Sequence, residues 1–188
     1  MKKAIVTLKG ISPYSQGKNI TEPKLPKELA DAYELRVWRE RMHVDENDNV
    51  IIPPMQFANS LKEAAKYLSL PVPGKGKQLF TKHFESGVMV LDPLSLKINK
   101  KDVPCEAVFV PANGQRGSAA RVMKYFPLFK AGWVGEVTYI ITDDIITEDI
   151  FRQVLEACGS LIGIGRFRPR NWGYYGRFEI TKLKWIEN

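Results

Sequence analysis

The sequence has few cysteines and no long hydrophobic run. Cys105 and Cys158 are its only cysteines, and they make none of the paired spacings typical of metal ligands. A reduced protein without a disulfide is therefore expected. No apolar run approaches the roughly 20 residues that a membrane-spanning helix needs. The apolar part of the opening MKKAIVTLKG is too short for a signal peptide. These features predict a cytoplasmic protein with no membrane partner.

Acidic residues are missing from three stretches of the chain. These stretches lie between Glu63 and Glu85, between Glu106 and Glu136, and between Glu156 and Glu179. Their cations include Lys66, Lys75, Lys77 and Lys82, then Arg116, Arg121, Lys124 and Lys130, and finally Arg166, Arg168, Arg170 and Arg177. Within a net charge of +7, three basic blocks predict one electropositive surface that attracts a polyanion. A generic basic surface that keeps the protein soluble is the alternative.

Hydrophobic periodicity predicts an α+β chain. Strands are expected at residues 4–8, 87–91, 106–110, 122–126, 133–142 and 178–185. A first helix follows Pro53 and Pro54, and its apolar face includes Phe57 and Leu61. A second helix has Thr147 as its N-cap and ends at Gly159.

Two further segments, near residues 33–52 and 105–127, are interpreted as hairpin or loop insertions. Without these insertions, the order of the elements is strand, helix, strand, strand, helix, strand. That is the ferredoxin-like βαββαβ order, which RNA-recognition motifs also use. We therefore expect residues 1–188 to form one domain.

Residues 163–180, GIGRFRPRNWGYYGRFEI, join the second predicted helix to the last strand. Glycines such as Gly163 and Gly165 allow a backbone to come close to a ligand. The arginines are candidates for phosphate contacts and the aromatic residues for base stacking. The candidates are Arg166, Arg168, Arg170 and Arg177, with Trp172 and Tyr174, and with Phe167 and Tyr175 as further aromatic faces. The alternative is a surface loop whose aromatic residues pack on the core.

This segment resembles the glycine-rich loop of the RAMP superfamily, which supplies backbone subunits and guide-processing nucleases of CRISPR effector complexes. A second stretch, VIIPPMQFANSLKEAAKYL at residues 50–68, is similar to the superfamily's strand ending in Ile-Pro and the helix after it. In backbone subunits that helix lies close to the guide strand. The resemblance therefore implies that Asn59, Ser60 and Lys62 lie near nucleic acid.

Two loops add candidate contacts. PANGQRGSAAR at residues 111–121 resembles by position the projecting hairpin, or thumb, with which backbone subunits hold the guide, and an exposed hairpin tip without a partner is its alternative. Arg116, Arg121 and the nearby Lys124 are its candidates. PVPGKGKQLFTKHF at residues 71–84 is interpreted as a basic flexible loop with Lys75, Lys77 and Lys82. It lacks the glycine and Ser/Thr spacing of a P-loop.

The chain has two histidines, His43 and His83. Guide-processing ribonucleases of the RAMP superfamily often use a histidine as general base on the 2′-hydroxyl. Neither histidine lies in the first predicted helix, where the superfamily usually has it, so surface histidines are the favoured interpretation. DENDN, residues 45–49, lacks the pattern of a calcium-binding loop and predicts a solvated turn. No metal or cofactor is expected.

Three functions remain open from the sequence. The first is a non-catalytic protein that binds single-stranded nucleic acid, RNA rather than DNA, and assembles with copies of itself or with other effector subunits along the strand. The second is a phage or mobile-element protein that coats or anneals single-stranded DNA on the same fold. The third is a metal-independent endoribonuclease that uses His43 or His83.

Overall fold

A computed structural model describes residues 1–112, 117 and 119–187 of the chain. Its strands are β1 (Lys2–Gly10), β2 (Tyr14–Ser15), β3 (Asn49–Ile52), β4 (Val88–Val90), β5 (Leu94–Asn99), β6 (Cys105–Pro111), β7 (Arg121–Phe129), β8 (Val134–Ile141) and β9 (Phe178–Glu187). Its α-helices are α1 (Ala30–Val37), α2 (Pro54–Leu68), α3 (Thr81–Ser86) and α4 (Glu148–Ala157).

Within these residues, the centre of the fold is a four-stranded antiparallel sheet in the order β4–β8–β1–β9. β1 pairs with β8 from Lys2↔Ile141 to Lys9↔Val134 and with β9 on its other side. Among the core elements, α2 comes between β1 and β4, and α4 comes between β8 and β9. Their order is therefore βαββαβ. This arrangement confirms the predicted α+β, ferredoxin-like fold.

One face of the central sheet forms the hydrophobic core. Ala4, Val6 and Leu8 of β1 are fully buried, because alternate residues of a strand point to the same face. Phe57 of α2 and Phe151 of α4 belong to the same buried cluster. Full burial of a large apolar side chain contributes about 1.5–3 kcal/mol. The packing of the two helices on the sheet therefore provides a rigid base for the loops above it.

The end of α4 differs from the prediction. Thr147 is the N-cap, as predicted, and its hydroxyl accepts a hydrogen bond from a backbone N–H of the first turn at 3.4 Å. The predicted end at Gly159 is wrong, because a π-helical turn over Cys158–Ile162 continues the helix to Gly163. Gly159 lies instead where β9 crosses, since a Cβ there would be 2.2 Å from the carbonyl oxygen of Phe178.

The predicted hairpin over residues 33–52 is wrong. α1 and a 3₁₀ turn over Trp38–Arg41 occupy its first part, and β3 pairs with β5 instead. Apolar and polar residues alternate in this segment, which is typical of a strand. Leu35, one of these apolar residues, is nevertheless exposed. Ion pairs of Arg36 with acidic residues of the preceding loop hold this segment as a helix, the closest being to Glu28 at 2.8 Å.

β6 and β7 form the other predicted hairpin. They pair in register from Cys105↔Pro127 to Pro111↔Arg121, and β2 extends this second sheet on the far side of β7. Arg116 lies outside the described residues, so the structure does not test its predicted role. The sheet is joined to the core through Tyr14 of β2, whose hydroxyl donates to Gln56 of α2 at 2.9 Å.

The basic segment at residues 71–84 is not entirely a loop, because α3 carries both Lys82 and His83. Among the helices of the described residues, none is long and apolar enough to cross a membrane.

Candidate nucleic-acid interface

The glycine-rich loop, residues 163–177, has a backbone shape that only glycines allow easily. Gly163, Gly165 and Gly176 have φ values of 73°, 72° and 72°, in the left-handed region. The backbone N–H of Arg166 donates to the carbonyl of Ser15 at 2.9 Å. The loop is therefore a fixed part of the structure, anchored on β2.

The two candidate glycines are closely packed against the protein itself. A Cβ on Gly165 would lie 2.5 Å from the carbonyl oxygen of Ser15, and a Cβ on Gly163 would lie 2.6 Å from Cδ of Pro169. Gly163 is buried, whereas Gly165 is partly exposed at the surface of a cleft. Both glycines are thus required by close packing within the protein itself, which the sequence does not reveal.

A cleft of about 580 Å³, here called cleft A, opens between the glycine-rich loop and the start of α2. It is lined by Gly17, Lys18, Arg41, His43, Gln56, Asn59, Phe126, Ile164, Gly165, Arg166, Arg168 and Asn171. Among these lining residues there is no Asp or Glu. Cleft A therefore presents cations and amides to a ligand without an opposing carboxylate on its surface.

Two more clefts continue along α2. Cleft B, about 450 Å³, shares Asn59 with cleft A, and cleft C, about 670 Å³, shares Lys66 and Glu85 with cleft B. The cations of these two clefts are Lys62, Lys66, Arg170, Lys77 and Lys82, and their acids are Glu63 and Glu85. We call the three connected clefts the trough. It brings together cations of the first and third acid-free blocks around α2, and none of the described cations of the second block lines it.

Arg168 and Arg170 are paired with one carboxylate in the trough. Arg168 Nη2 lies 2.9 Å from Glu63 Oε2, and Arg170 Nε lies 2.9 Å from Glu63 Oε1. Glu63 is on α2, so these ion pairs hold the glycine-rich loop against the helix. A phosphate group that binds either arginine has to compete with Glu63.

Arg166 has a different environment. Its guanidinium lies over the ring of Phe126, with Cζ 3.0 Å from the ring centroid, and near the ring of Phe167 at 4.0 Å. Burial and then the positive charge of Arg41 lower the pKa of Arg166 to about 10. The group remains a cation at neutral pH, but its charge is less compensated than that of Arg168.

His43 lies in cleft A, directly before the turn at residues 45–49, which the antiparallel bridge between Val44 and Val50 closes. Its backbone N–H donates to the side-chain oxygen of buried Gln16 at 2.7 Å, which fixes this part of the cleft wall. Burial and then the charge of Lys18 lower the pKa of His43 from its usual value of 6.5. The imidazole is therefore neutral at pH 7 and able to accept a proton.

His83 does not line cleft A. Its Nδ1 is 2.6 Å from Asp143 Oδ2, and its Nε2 is 2.9 Å from Gln78 Nε2. Burial raises the pKa of Asp143, but hydrogen bonds from His83 and from the N–H of Ile145 outweigh this effect, so the pKa is lowered. His83 thus ties α3 to the loop after β8.

Ser60 is a correction to the predicted contact set. It is fully buried, and its hydroxyl donates to the carbonyl of Gly163 at 2.8 Å while Cys158 Sγ lies 3.1 Å away. It therefore positions the glycine-rich loop and cannot reach a strand in the trough. Asn59 and Lys62 from the same helix do line the trough.

The aromatic residues of the loop fall into two groups. Trp172 is 89% exposed and Tyr174 is 59% exposed, whereas Tyr175 is buried and donates through its hydroxyl to Glu106 at 2.8 Å. Phe167 packs edge-on against Tyr175, with ring centroids 5.9 Å apart. Trp172 is thus available for stacking, whereas the ring of Tyr174 already packs against Tyr175, with centroids 4.7 Å apart. Phe167 and Tyr175 support the loop.

The remaining candidates lie outside the trough or at its rim. Lys75 is exposed in the turn that carries Lys77, and Arg177 precedes β9 with its backbone N–H bonded to Ser12. Lys124 is two residues before Phe126 and shares its face of β7, while Arg121 points to the other face. None of these four lines cleft A, B or C.

Several residues that form cleft A were not predicted from the sequence, among them Lys18, Arg41 and Phe126. Arg41 belongs to WRERMH, where two arginines and a histidine follow a tryptophan, and that pattern was a usable signal. Phe126 carries no such signal, because an aromatic residue in a strand usually belongs to the core. Among the described residues, no group of three or more His, Cys, Asp or Glu is placed to hold a metal ion.

Comparison with known proteins gives a similarity of fold. No protein-family profile and no curated protein matches the chain. A chain of the solved assembly described as the cryo-EM structure of the Type III-B Cmr-beta bound to cognate target RNA matches with a TM-score of 0.55 and 12% identity. The two chains share a fold. The match covers 99% of this chain and 61% of the length of the other.

Proposed function

We propose that the protein binds single-stranded nucleic acid, RNA in preference to DNA, along the trough. In this proposal it is a RAMP-like, non-catalytic subunit of a CRISPR effector complex that assembles with copies of itself or with other subunits. The observation that carries the proposal is the trough, in which cations from separate segments line three neighbouring clefts that share the α2 residues Asn59 and Lys66. Exposed Trp172 beside it offers a stacking face.

Two further observations support RNA. The matched chain belongs to an assembly described as bound to target RNA, and it has the same fold as this protein. The glycine-rich loop resembles that of the RAMP superfamily in both composition and position, between the second core helix and the last strand.

Binding of a short unstructured RNA across a series of salt concentrations tests the proposal. If the trough neutralises about 5 phosphates, the logarithm of the binding constant falls with the logarithm of salt at a slope of about −3.5. Fluorescence anisotropy measures this, with single-stranded DNA of the same sequence and duplex RNA as comparison ligands. A slope near zero contradicts the proposal. Tighter binding to DNA than to RNA favours the phage or mobile-element alternative.

A second function, metal-independent cleavage of RNA, is favoured by the position of His43 in cleft A. A neutral imidazole can take the proton of a 2′-hydroxyl, whose oxygen then attacks the phosphorus and releases the 5′-oxygen of the next nucleotide. Arg41 and Arg166 lie in the same cleft and can stabilise the negative charge that develops on the phosphate.

Cleavage of end-labelled RNA in the presence of EDTA tests this second function. His43→Ala is expected to abolish cleavage, and His83→Ala to leave it unchanged because His83 is outside cleft A. Since the pKa of His43 is lowered, the rate should rise as the pH increases through a value below 6.5 and be constant around neutrality. Products that disappear when metal is removed, or that persist in His43→Ala, exclude this mechanism.

A further inference from the structure

Phe126 has two arginines over its ring. Cζ of Arg166 is 3.0 Å from the ring centroid, and Cζ of Arg41 is 4.7 Å from it. Phe126 is itself buried, at the floor of cleft A, where both arginines are part of the lining. The ring therefore serves as a platform that holds two cations together, and its π-face partly offsets their repulsion.

The two cations are incompletely compensated. Arg41 Nη2 has one carboxylate partner, Glu34 Oε2, at 2.6 Å. Among the described residues, no hydrogen-bond acceptor serves Arg166 Nη1 or Arg41 Nε, although both atoms are buried. A buried donor without an acceptor is unfavourable, and so is the proximity of two like charges. After small rotations of the guanidinium groups, an anion in cleft A accepts hydrogen bonds from these donors and reduces the repulsion between the two cations.

A phosphate group fits this arrangement better than other anions. Planar guanidinium groups form paired hydrogen bonds with phosphate oxygens, and two of them can surround one phosphate. Cleft A has about 580 Å³, which leaves room for the sugar and base attached to that phosphate. Its wall supplies amide groups, from Gln56 and Asn59, and no carboxylate that would repel the ligand.

We propose that Arg41 and Arg166, held on Phe126, form a phosphate-binding subsite at the floor of cleft A. The subsite rests on the proposed function, because the phosphate is supplied by the nucleic acid that lies in the trough. It adds Arg41 and Phe126 to the binding residues, and it makes Arg166 the strongest phosphate contact, because Arg41 is paired with Glu34 and Arg168 and Arg170 share Glu63.

Arginine variants test the subsite by anisotropy with the same unstructured RNA. Arg166→Gln and Arg41→Gln should each weaken binding about tenfold and flatten the salt slope by about 0.7. Arg39→Gln is the matched control, since Arg39 is exposed, lies two residues from Arg41 and stacks on Trp38 at 4.2 Å. This control should bind like the wild type. Thermal melting of each variant shows whether it is folded.

A lysine variant separates recognition from charge alone. Arg166→Lys keeps the charge but loses the planar fork and the stacking, so it should lower affinity with little change in the salt slope. Phe126→Leu keeps an apolar floor without the ring and should weaken binding in the same way. If one variant fails to fold, the others still test the subsite. Inorganic phosphate should also raise the melting temperature of the wild type, but not of Arg41→Gln, more than chloride does at equal ionic strength.

The source of the phosphate is identified by comparing RNA with a 5′-phosphate, with a 3′-phosphate and with neither. If the wild type prefers RNA with a terminal phosphate and Arg166→Gln does not, the subsite binds a phosphate monoester. If the three RNAs bind equally well, it binds an internal phosphodiester. Variants that are folded and bind RNA like Arg39→Gln overturn the subsite while the proposed function stands. A wild-type protein that binds no RNA overturns the proposed function itself.

Discussion

Glu63 has a central position among the charged residues of the trough. It accepts from Arg168 and from Arg170, both at 2.9 Å, and its side chain is only partly exposed. The two ion pairs fix the glycine-rich loop on α2, and they also occupy two arginines that would otherwise be available to phosphates. Glu63 is therefore expected to compete with phosphates for these two arginines.

Replacement of Glu63 by glutamine should strengthen RNA binding. Glu63→Gln removes a negative charge from the trough and leaves Arg168 and Arg170 available to phosphates. The salt slope should then become steeper by about 0.7 for each arginine that gains a phosphate. Anisotropy titrations of the variant and the wild type across salt concentrations measure this difference.

Glu148→Gln is a suitable control for Glu63→Gln. Glu148 forms an exposed ion pair with Arg152 on α4 at 3.3 Å and does not line the trough. Both variants change the net charge equally, so a purely long-range charge effect would strengthen binding equally in the two. Equal binding by both variants, or weaker binding by Glu63→Gln in a protein that melts normally, contradicts the prediction.

Among the elements, the glycine-rich loop depends on the fit of its backbone against β2. Gly165 has a positive φ and also lies against the carbonyl of Ser15 and the ring of Tyr14. Gly76 has a similar φ of 62°, but no atom lies within 4 Å of the position of its missing Cβ. The same substitution at Gly165 and at Gly76 therefore separates the cost of a left-handed backbone from the cost of steric overlap.

Replacement of Gly165 by alanine should lower stability more than the same change at Gly76. Gly165→Ala is expected to cost about 2–4 kcal/mol, from the left-handed backbone and from overlap with Ser15 and Tyr14. Gly76→Ala should cost about 1 kcal/mol, from the backbone alone. Denaturant unfolding followed by circular dichroism measures both. Equal losses of stability would mean that the loop moves freely away from β2.

On the scale of the whole molecule, binding and stability are linked. The trough joins α2, α3, the glycine-rich loop and the segment with Lys18 and Arg41, so a strand bound along it contacts several separate parts of the fold. A ligand that binds only the folded protein stabilises it by an amount that depends on its concentration relative to Kd.

RNA at about 100 times its Kd should stabilise the protein by about 2.7 kcal/mol. For a chain of this size, the melting temperature would rise by about 5–10 °C. The rise should disappear at high salt, because the phosphate contacts are then screened. Differential scanning fluorimetry with and without RNA measures this shift. A rise that persists unchanged at high salt would show that the contacts are not electrostatic.

The order of the core elements could be predicted from the sequence because its signals are local. A short apolar run predicts β1, helical spacing predicts α2, and Thr147 marks the start of α4 regardless of the rest of the chain. The three acid-free blocks predicted one basic surface, but only the first and third contribute described cations to the trough. The βαββαβ core could therefore be predicted from the sequence, and residues 163–177 could be identified as a candidate site.

The tertiary structure decided how individual residues are used, because those uses depend on contacts between distant parts of the chain. Ser60 lies on the apolar face of α2, three residues after Phe57, but only the structure shows that its hydroxyl donates to the carbonyl of Gly163. Arg168 resembles Arg166 in sequence, yet only Arg168 has Glu63 as a partner, while Arg166 shares the ring of Phe126 with Arg41. Burial and charge pairing arise only when the chain is folded, so no local pattern encodes them.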